Sequence, residues 1–224
     1  MFVLTIDQRN SRDSADRVPE LLDVLNSGEW VGAIPFERTV GDEVQGVVLH
    51  ADAAVDITLQ LLQQGDWYVG IGIGTIDSPM PTSSREARGA AFVAARDAVE
   101  AAKDERNGVP VAVRSLPDDM AEVDQTALST VDAQAVLRLL GRLVQERSEA
   151  QWRVVNLIRK KLGDGRYETV RGRQKTAAKA LGITPQAVSK SLSTSGWTEE
   201  EAGRIAAGRV LAAVRARADD EGES

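Results

Sequence analysis

The sequence has no cysteine, and His50 is the single histidine among its 224 residues. The absence of thiols excludes disulfides and thiol-based redox or metal chemistry, and it fits a reducing compartment. With one histidine, neither a zinc site of several histidines nor a Ser-His-Asp triad is supported. Any metal would therefore bind carboxylates, which favours Mg²⁺ or no metal at all.

Long apolar runs are absent as well. The chain starts with the short apolar stretch MFVLTIDQ, which meets an acid at once and lacks the basic start of a signal peptide. No run approaches the roughly 20 apolar residues of a membrane span. We therefore expect a cytoplasmic protein without a membrane partner.

Basic residues are in the minority overall, and the formal net charge is -7. They are nevertheless concentrated in one segment: Gln151–Thr198 has a local balance of about +8, and residues 1–150 carry the acidic excess. A polyanion is attracted to a local face and not to the average charge of a chain, so this segment is a candidate for phosphate contacts. Its ten basic residues are Arg153, Arg159, Lys160, Lys161, Arg166, Arg171, Arg173, Lys175, Lys179 and Lys190.

Hydrophobic periodicity predicts the element order β-α-β-β-α-β-α-β over residues 1–116. The second and third strands form a predicted hairpin with a two-residue turn at Gly41-Asp42, and the third helix is expected from about Arg85 to Asp104. An α+β domain with two helices on one side of an antiparallel sheet is a ferredoxin-like arrangement, here with an extra helix and strand.

The domain prediction follows from composition. Residues 117–130 are acidic, contain Pro117 and lack apolar periodicity, so we expect a linker there. Residues 131–217 are expected to form an all-α domain, and residues 218–224 a disordered tail.

Four residues in the basic segment have the spacing of a helix-turn-helix: Gln174, Ala178, Gly182 and Val188. A small residue is needed at Ala178, where the two helices would cross, and Gly182 can adopt the positive φ that ends the first helix. Val188 is expected to fill the wedge between the helices together with Leu181, Ile183 and Leu192. The alternative is a helical hairpin used only for packing.

The second helix of this motif has a favourable start, because Thr184 offers a capping hydroxyl and Pro185 occupies the first helical position. Polar side chains on its exposed face can bond base edges or phosphates in a major groove of double-stranded DNA. The predicted DNA-binding residues are Arg171, Arg173, Lys175, Thr184, Gln186, Ser189 and Lys190.

The N-terminal half contains a second set of motifs: Asp7 at the end of the first strand, Ser11 in the next loop, R-T-V-G-D-E at 38–43, and G-A-A-F-V-A-A-R at 89–96. Together they resemble the nucleotide-cyclase superfamily, including the GGDEF-type diguanylate cyclases. The SatD family is the most similar, since a strand Asp, a GDE(F/V)QG hairpin and a GxAFxxAR helix occur together in it. The resemblance covers roughly the first half of the chain.

The resemblance implies a nucleotide site. In cyclases the acids that match Asp7 and Asp42 bind metal ions that bridge a nucleoside triphosphate, the loop after the first Asp cradles phosphates, and an arginine at the position of Arg96 acts in the transition state. The implied metal is Mg²⁺, bound with the nucleotide, and no other cofactor is expected. The implied nucleotide-binding residues are Asp7, Ser11, Arg38, Asp42, Glu43 and Arg96, with Asp7 and Asp42 as metal ligands.

This sequence departs from the cyclase pattern at three positions. Val40 replaces the first glycine of the GGDEF signature, Val44 replaces its phenylalanine, and Phe92 replaces the asparagine that positions the reacting ribose. The loss of a polar helper favours a catalytically inactive domain that senses a nucleotide or mediates dimerisation. Two readings of the acids remain: Asp42 and Glu43 as turn residues only, or an active Mg²⁺-dependent cyclase with a regulatory helical domain.

The combined prediction is a DNA-binding transcriptional regulator. A homodimer is expected, because helix-turn-helix proteins pair to read two half-sites and cyclase domains pair to build their sites. The last helix offers Ile205, Val210, Leu211 and Val214 for burial. A third hypothesis is an adaptor whose helix-turn-helix binds protein, which predicts no salt-dependent DNA affinity.

Overall fold

The computed structural model describes residues 1–27, 32–104, 108–116, 127–163 and 170–222. The chain divides into two compact units. The sheet unit consists of Met1–Arg142 together with Arg204–Ser224, and the helical unit consists of Leu143–Gly203. The fold class is α+β, as predicted.

The sheet unit is built on five strands in the order β2-β3-β1-β4-β5. The first four are antiparallel neighbours, whereas β4 and β5 are parallel. The predicted element order over residues 1–116 is confirmed. The strands and helices are β1 Phe2–Gln8, α1 Val18–Leu25, β2 Gly32–Arg38, β3 Glu43–Val48, α2 Ala51–Gln64, β4 Trp67–Gly74, α3 Ala90–Ala102 and β5 Val111–Leu116.

Two glycines of β4 bring α3 close to the sheet. A Cβ at Gly70 would lie 2.3 Å from the backbone nitrogen of Val99, and one at Gly72 would lie 2.1 Å from the carbonyl oxygen of Ala91. The small side chains of α3 that face the sheet, including Ala91, Ala95 and Ala98, are buried. Helix α3 begins at Ala90, five residues later than predicted, because residues 75–89 form a separate loop that ends at Gly89 with a φ of 129°.

The hairpin between β2 and β3 is longer than predicted. Its loop has four residues, Thr39–Asp42, and not the two expected at Gly41-Asp42. The backbone nitrogen of Thr39 donates to the carbonyl oxygen of Glu43 at 2.9 Å, and that of Glu43 donates to the carbonyl oxygen of Val40 at 3.0 Å. The loop therefore begins two residues earlier than predicted and ends at the same residue, and Gly41 supplies a φ of 60° within it.

Helix α4, Thr130–Gln145, covers the exposed edge of β5. Gln134 Oε1 accepts from the backbone nitrogen of Val113 at 3.2 Å, and Arg138 Nε donates to the carbonyl oxygen of Val111 at 3.1 Å. Gly141 faces the side chains of Val109 and Leu62. These contacts place α4 up to Arg142 in the sheet unit, so the compact units differ from the predicted division at 117–130. Residues 117–126 of that predicted linker lie outside the described part.

The end of the chain also packs on the sheet unit. Helix α8 runs over Trp197–Gly222, and from Arg204 onward it belongs to this unit. Arg204 forms an ion pair with Asp56, Arg215 lies 5.8 Å from the ring centre of Phe2, and Leu211 and Val214 are buried. Residues 218–222, which were predicted as a disordered tail, continue helix α8 in this structure, and Ala218 is buried. Residues 223–224 lie outside the described range.

The helical unit contains three complete helices: α5 Glu149–Gly163, α6 Val170–Leu181 and α7 Pro185–Thr194. The last turn of α4 and the first turns of α8 complete it. Its core comprises Val154, Val155, Ile158, Ala177, Ala178, Val188 and Trp197.

Candidate functional site

A row of polar side chains lies on the face of the sheet that α3 covers. Val3 packs against Ala91 and Ala95 of that helix, and alternate residues of a strand share a face, so Thr5 and Asp7 point the same way. Their neighbours on β3 are Gln45 and Glu43. Within the core, Gln45 Nε2 donates to Thr5 Oγ1 at 2.9 Å, and both residues are buried. Asp7 and Glu43 continue the row toward the hairpin end.

Asp7 is paired with a lysine that the sequence reasoning missed. Lys103 Nζ lies 3.0 Å from Asp7 Oδ2 and 2.7 Å from Glu100 Oε1. Burial raises the pKa of Asp7 and the negative charge of Asp42 adds to this, although the bond from Lys103 opposes it. Burial alone would lower the pKa of Lys103, but hydrogen bonds to Glu100 and Asp7 outweigh it and raise that pKa. Lys103 stands seven residues after Arg96, a spacing that could have indicated a shared helix face.

Glu43 connects the hairpin to α3. Thr39 Oγ1 donates to Glu43 Oε1, and the guanidinium of Arg96 lies 3.8 Å from the same carboxylate. The Arg96 side chain is 61% exposed, so this contact leaves most of it accessible. The structure therefore groups four of the six predicted nucleotide-binding residues: Asp7, Asp42, Glu43 and Arg96.

The other two predicted residues lie outside this group. Arg38 Nη2 donates to both carboxylate oxygens of Asp16, and this bond holds the pKa of Asp16 below its ordinary value. Ser11 is exposed in the turn that follows β1. The resemblance implied both as nucleotide-binding residues, and it gives no indication of the ion pair between Arg38 and Asp16.

The predicted metal site can be compared with the donors present. Within the described ranges, no group of three or more His, Cys, Asp or Glu side chains is arranged to hold a metal ion. Carboxylates suit Mg²⁺, but the Lys103 ammonium already neutralises Asp7. A cation at Asp7 would have to displace that ammonium.

A cleft of about 560 Å³ opens beside the polar row, between the hairpin loop and the start of α3. Three arginines line it: Arg85, Arg88 and Arg96. Arg85 and Arg88 were not predicted as site residues, because they lie before α3 in a loop without hydrophobic periodicity. The other lining residues are Thr39, Val40, Gln45, Ser84, Ala87, Gly89, Phe92, Val93 and Asp97.

In the helical unit, the turn between α6 and α7 is formed around Gly182. Gly182 has a φ of 65°, and the backbone nitrogen of Ile183 donates to the carbonyl oxygen of Ala178 at 3.0 Å, a pattern that ends a helix through a left-handed residue. Ala178 and Val188 are buried, and Leu181 and Leu192 pack against this core. Ile183 was expected in the wedge, but it is 41% exposed because it lies in the turn itself.

Helix α7 presents one polar face. Thr184 Oγ1 accepts from the backbone nitrogen of Ala187 at 3.1 Å, which confirms the predicted cap and uses the hydroxyl within the helix end. Gln186, Ser189 and Lys190 are exposed around the buried Val188, and Lys175 is exposed on α6. The side chains of Arg171 and Arg173 lie outside the described part of the chain.

A buried ion cluster joins α8 to α5 within the helical unit. Glu200 is fully buried and forms ion pairs with Arg147 and Arg159. The guanidinium groups stack on indole rings, Arg147 at 4.8 Å from the centre of Trp152 and Arg159 at 4.8 Å from that of Trp197. Arg159, one of the ten basic residues of the segment, therefore has a structural role.

Within the described residues no helix is long and apolar enough to cross a membrane. The chain matches no protein-family profile, no curated protein and no solved structure.

Proposed function

We propose that this chain is a DNA-binding transcriptional regulator, with a helix-turn-helix in its helical unit and a catalytically inactive, nucleotide-cyclase-like sheet unit that binds a nucleotide. The observation that carries the proposal is the exposed polar face of α7 around the buried Val188. The short turn at Gly182 and the cap at Thr184 hold this helix against α5 and α6, so its outer face is free of packing contacts within the helical unit. Such a helix suits insertion into a major groove.

Charge supports the same proposal. Arg153, Lys160, Lys175, Lys179 and Lys190 are exposed in a segment with few acids. Contacts of this kind to phosphates release counterions, so DNA affinity falls steeply as salt rises. A hairpin used only for packing, or for binding a neutral protein surface, has no such dependence.

The fold of the sheet unit supports the cyclase-like assignment. Strands β1 to β4 with α1 and α2 have the βαββαβ order, and the sheet order β2-β3-β1-β4 is the one expected for a ferredoxin-like arrangement. Phe92, which stands where cyclases have an asparagine, is nearly buried with Val3 and Ala95. An apolar side chain in that position supports binding without turnover.

Footprinting and quantitative binding across the chain's own promoter region test the DNA proposal. We expect protection of a defined sequence that is lost in the double variant Gln186→Ala/Lys190→Ala. Arg209→Ala is the matched control, since it removes one exposed positive charge from α8 in the sheet unit. In a salt series, Lys190→Ala alone should reduce the slope of log affinity against log salt by about 0.9. Unchanged protection and slope in these variants would contradict the proposal.

Homodimerisation belongs to the same proposal, because two recognition helices read two half-sites. Of the four α8 residues predicted for the interface, Leu211 and Val214 are already buried in the sheet unit, whereas Ile205 is 58% exposed. Sedimentation of the chain against Ile205→Asp tests whether this face is involved. A purely monomeric chain that protects a single half-site would refute the dimer.

The second candidate is a Mg²⁺-dependent nucleotide cyclase. Asp42 lies close enough to Asp7 for its negative charge to add to the raised pKa of Asp7, which favours this candidate. Incubation with ATP or GTP and Mg²⁺ separates the two candidates. Cyclic product that disappears in both Asp7→Asn and Asp42→Asn would establish the enzyme, and its absence supports the inactive domain.

A further inference from the structure

We infer that the cleft lined by Arg85, Arg88 and Arg96 binds a phosphorylated organic anion of mononucleotide size, and that it does so without a metal ion. This inference deepens the proposed function, on which it rests, by naming the ligand class of the sheet unit. It places the phosphate contacts on these arginines, whereas the resemblance implied metal ions at Asp7 and Asp42 and phosphate contacts from the loop after β1.

The charge of the cleft is the first argument. Its lining contains three arginines and one carboxylate, Asp97, in a chain whose net charge is -7. In the described part of the chain, neither Arg85 nor Arg88 has an ion-pair partner, and Arg96 has only the 3.8 Å contact with Glu43. Three guanidinium groups around one opening repel each other, and a bound anion removes that repulsion.

The loop that carries two of these arginines is fixed by hydrogen bonds. Ser83 Oγ and Ser84 Oγ donate to Glu37 Oε2 at 2.6 and 3.1 Å, and the first of these bonds lowers the pKa of Glu37 below its ordinary value. Arg85 Nε donates to the carbonyl oxygen of Arg38 at 2.8 Å. This bond orients the guanidinium through Nε and does not use its two Nη groups. The loop and the Arg85 guanidinium are therefore held in place before any ligand binds, which lowers the entropic cost of binding.

The end of the same loop is equally constrained. The carbonyl oxygen of Arg88 accepts from the backbone nitrogen of Asp77 at 2.9 Å. The next residue, Gly89, has a φ of 129°, and a Cβ there would lie 2.5 Å from the carbonyl oxygen of Thr75. The backbone nitrogen of Ala91, near the start of α3, donates to that same carbonyl at 3.1 Å. Part of the helix N-terminus is thus already bonded, so the anion must be held mainly by the arginine side chains.

The cleft also has an apolar part. Val40 and Val93 line it although they are 77% and 54% exposed, and Phe92 lies beside them. Exposed apolar residues next to convergent cations fit a ligand that has both a flat apolar group and a charged group, such as a purine nucleotide. The volume of about 560 Å³ is in the range of small-molecule sites and does not require a macromolecule.

Calorimetric titration of the full chain in EDTA tests the inference, with GTP, ATP, inorganic pyrophosphate and guanosine as the probes. We expect a nucleotide and pyrophosphate to bind without Mg²⁺, and guanosine not to bind. Arg85→Ala and Arg88→Ala should each weaken binding about 10-fold or more, as expected for loss of a charge-assisted hydrogen bond. Arg209→Ala and Asp7→Asn should leave it unchanged.

Val93→Ser tests the apolar part of the cleft by itself. It should weaken nucleotide binding and leave pyrophosphate binding unchanged. Circular dichroism of each variant checks that the fold is kept. The titrations are repeated with Mg²⁺ in place of EDTA, and binding that appears only then and is lost in Asp7→Asn would overturn the inference in favour of the acidic pair. No binding of any probe, or arginine and Val93 variants that only dissociate a dimer, would overturn it as well. In either case, intact operator protection would leave the proposed DNA-binding function standing.

Discussion

Lys103 Nζ lies 3.0 Å from Asp7 Oδ2, so the end of α3 is tied by an ion pair to the end of the central strand β1. The resemblance to cyclases implied that the charge of Asp7 is balanced by a metal ion. In this chain an ammonium from the same molecule balances it. The ionised form of Asp7 is nevertheless disfavoured, since burial raises the pKa of this carboxyl group and the charge of Asp42 acts in the same direction.

Replacement of Asp7 by asparagine should change how stability depends on pH. The folded-state pKa of Asp7 is above its unfolded value, so its protonation stabilises the fold fully below the unfolded pKa. That stabilisation is lost as pH rises through the folded pKa. Asp7→Asn cannot ionise, so its stability relative to the wild type should rise as the pH increases from below the ordinary pKa of an aspartate through the raised pKa of Asp7. Urea denaturation across this range measures it, and Asp23→Asn, an exposed acid, is the control.

Removal of the lysine should raise the pKa of Asp7 further. In Lys103→Met the apolar stem is kept while the cation that favours the ionised carboxylate is lost. A ¹³C carboxyl titration by NMR should show Asp7 titrating at higher pH in this variant, and Lys175→Met should leave it unchanged. A pKa of Asp7 that stayed constant or fell would show that the ion pair does not form in solution.

Much of the sheet unit was predictable, because its signals are local. The short apolar run of β1 and the hydrophobic periodicity of the later elements specify strands and helices, and the βαββ order limits how they can pair. Gly70 and Gly72 of β4 lie where the backbone of α3 approaches the sheet, and glycine in a strand is typical of such a close approach.

The errors have a different origin. Helices α4 and α8 lie in the range expected to be helical, but α4 up to Arg142 and α8 from Arg204 group with the sheet unit. No sequence pattern indicated this, because Gln134, Arg138 and Arg204 bind partners far along the chain. The arginines of the cleft were missed for the same reason. Arg85 and Arg88 come together with Arg96 only through the bonds of their loop to Glu37 and Arg38, and no periodic pattern encodes such bonds.

The approach of α3 to β4 predicts a large effect of a single methyl group. In Gly72→Ala the added Cβ would lie 2.1 Å from the carbonyl oxygen of Ala91 and 2.4 Å from the nitrogen of Ala95, both backbone atoms that cannot rotate away. We expect a loss of about 3 kcal/mol in the free energy of unfolding, the upper end of the range for overpacking. Gly41→Ala, with open space around it and a φ of 60°, should cost only about 1 kcal/mol. Similar losses in the two variants by urea denaturation would argue against this packing.

The cap of α7 links stability to the proposed DNA interface. Thr184→Ala removes the acceptor for the backbone nitrogen of Ala187 and should cost about 1 kcal/mol. Thr184→Ser keeps the hydroxyl and should be nearly neutral. Because the first turn of α7 carries Gln186, operator affinity should fall in the alanine variant and recover in the serine variant. Equal affinity for both variants would show that the first turn is not part of the interface.

The buried carboxylate of the helical unit should be the most sensitive position in that unit. Glu200 is fully buried between Arg147 and Arg159, and Arg147 Nε also donates to the carbonyl oxygen of Ser195 at 2.7 Å. Glu200→Gln leaves the buried guanidinium of Arg147 without a counter-charge, which should destabilise this unit by about 3 to 5 kcal/mol. The stacked rings of Trp152 and Trp197 make their fluorescence a direct probe of its unfolding. Glu199→Gln changes an exposed neighbour and should have little effect. If both variants unfold at the same urea concentration as the wild type, the cluster does not stabilise the unit.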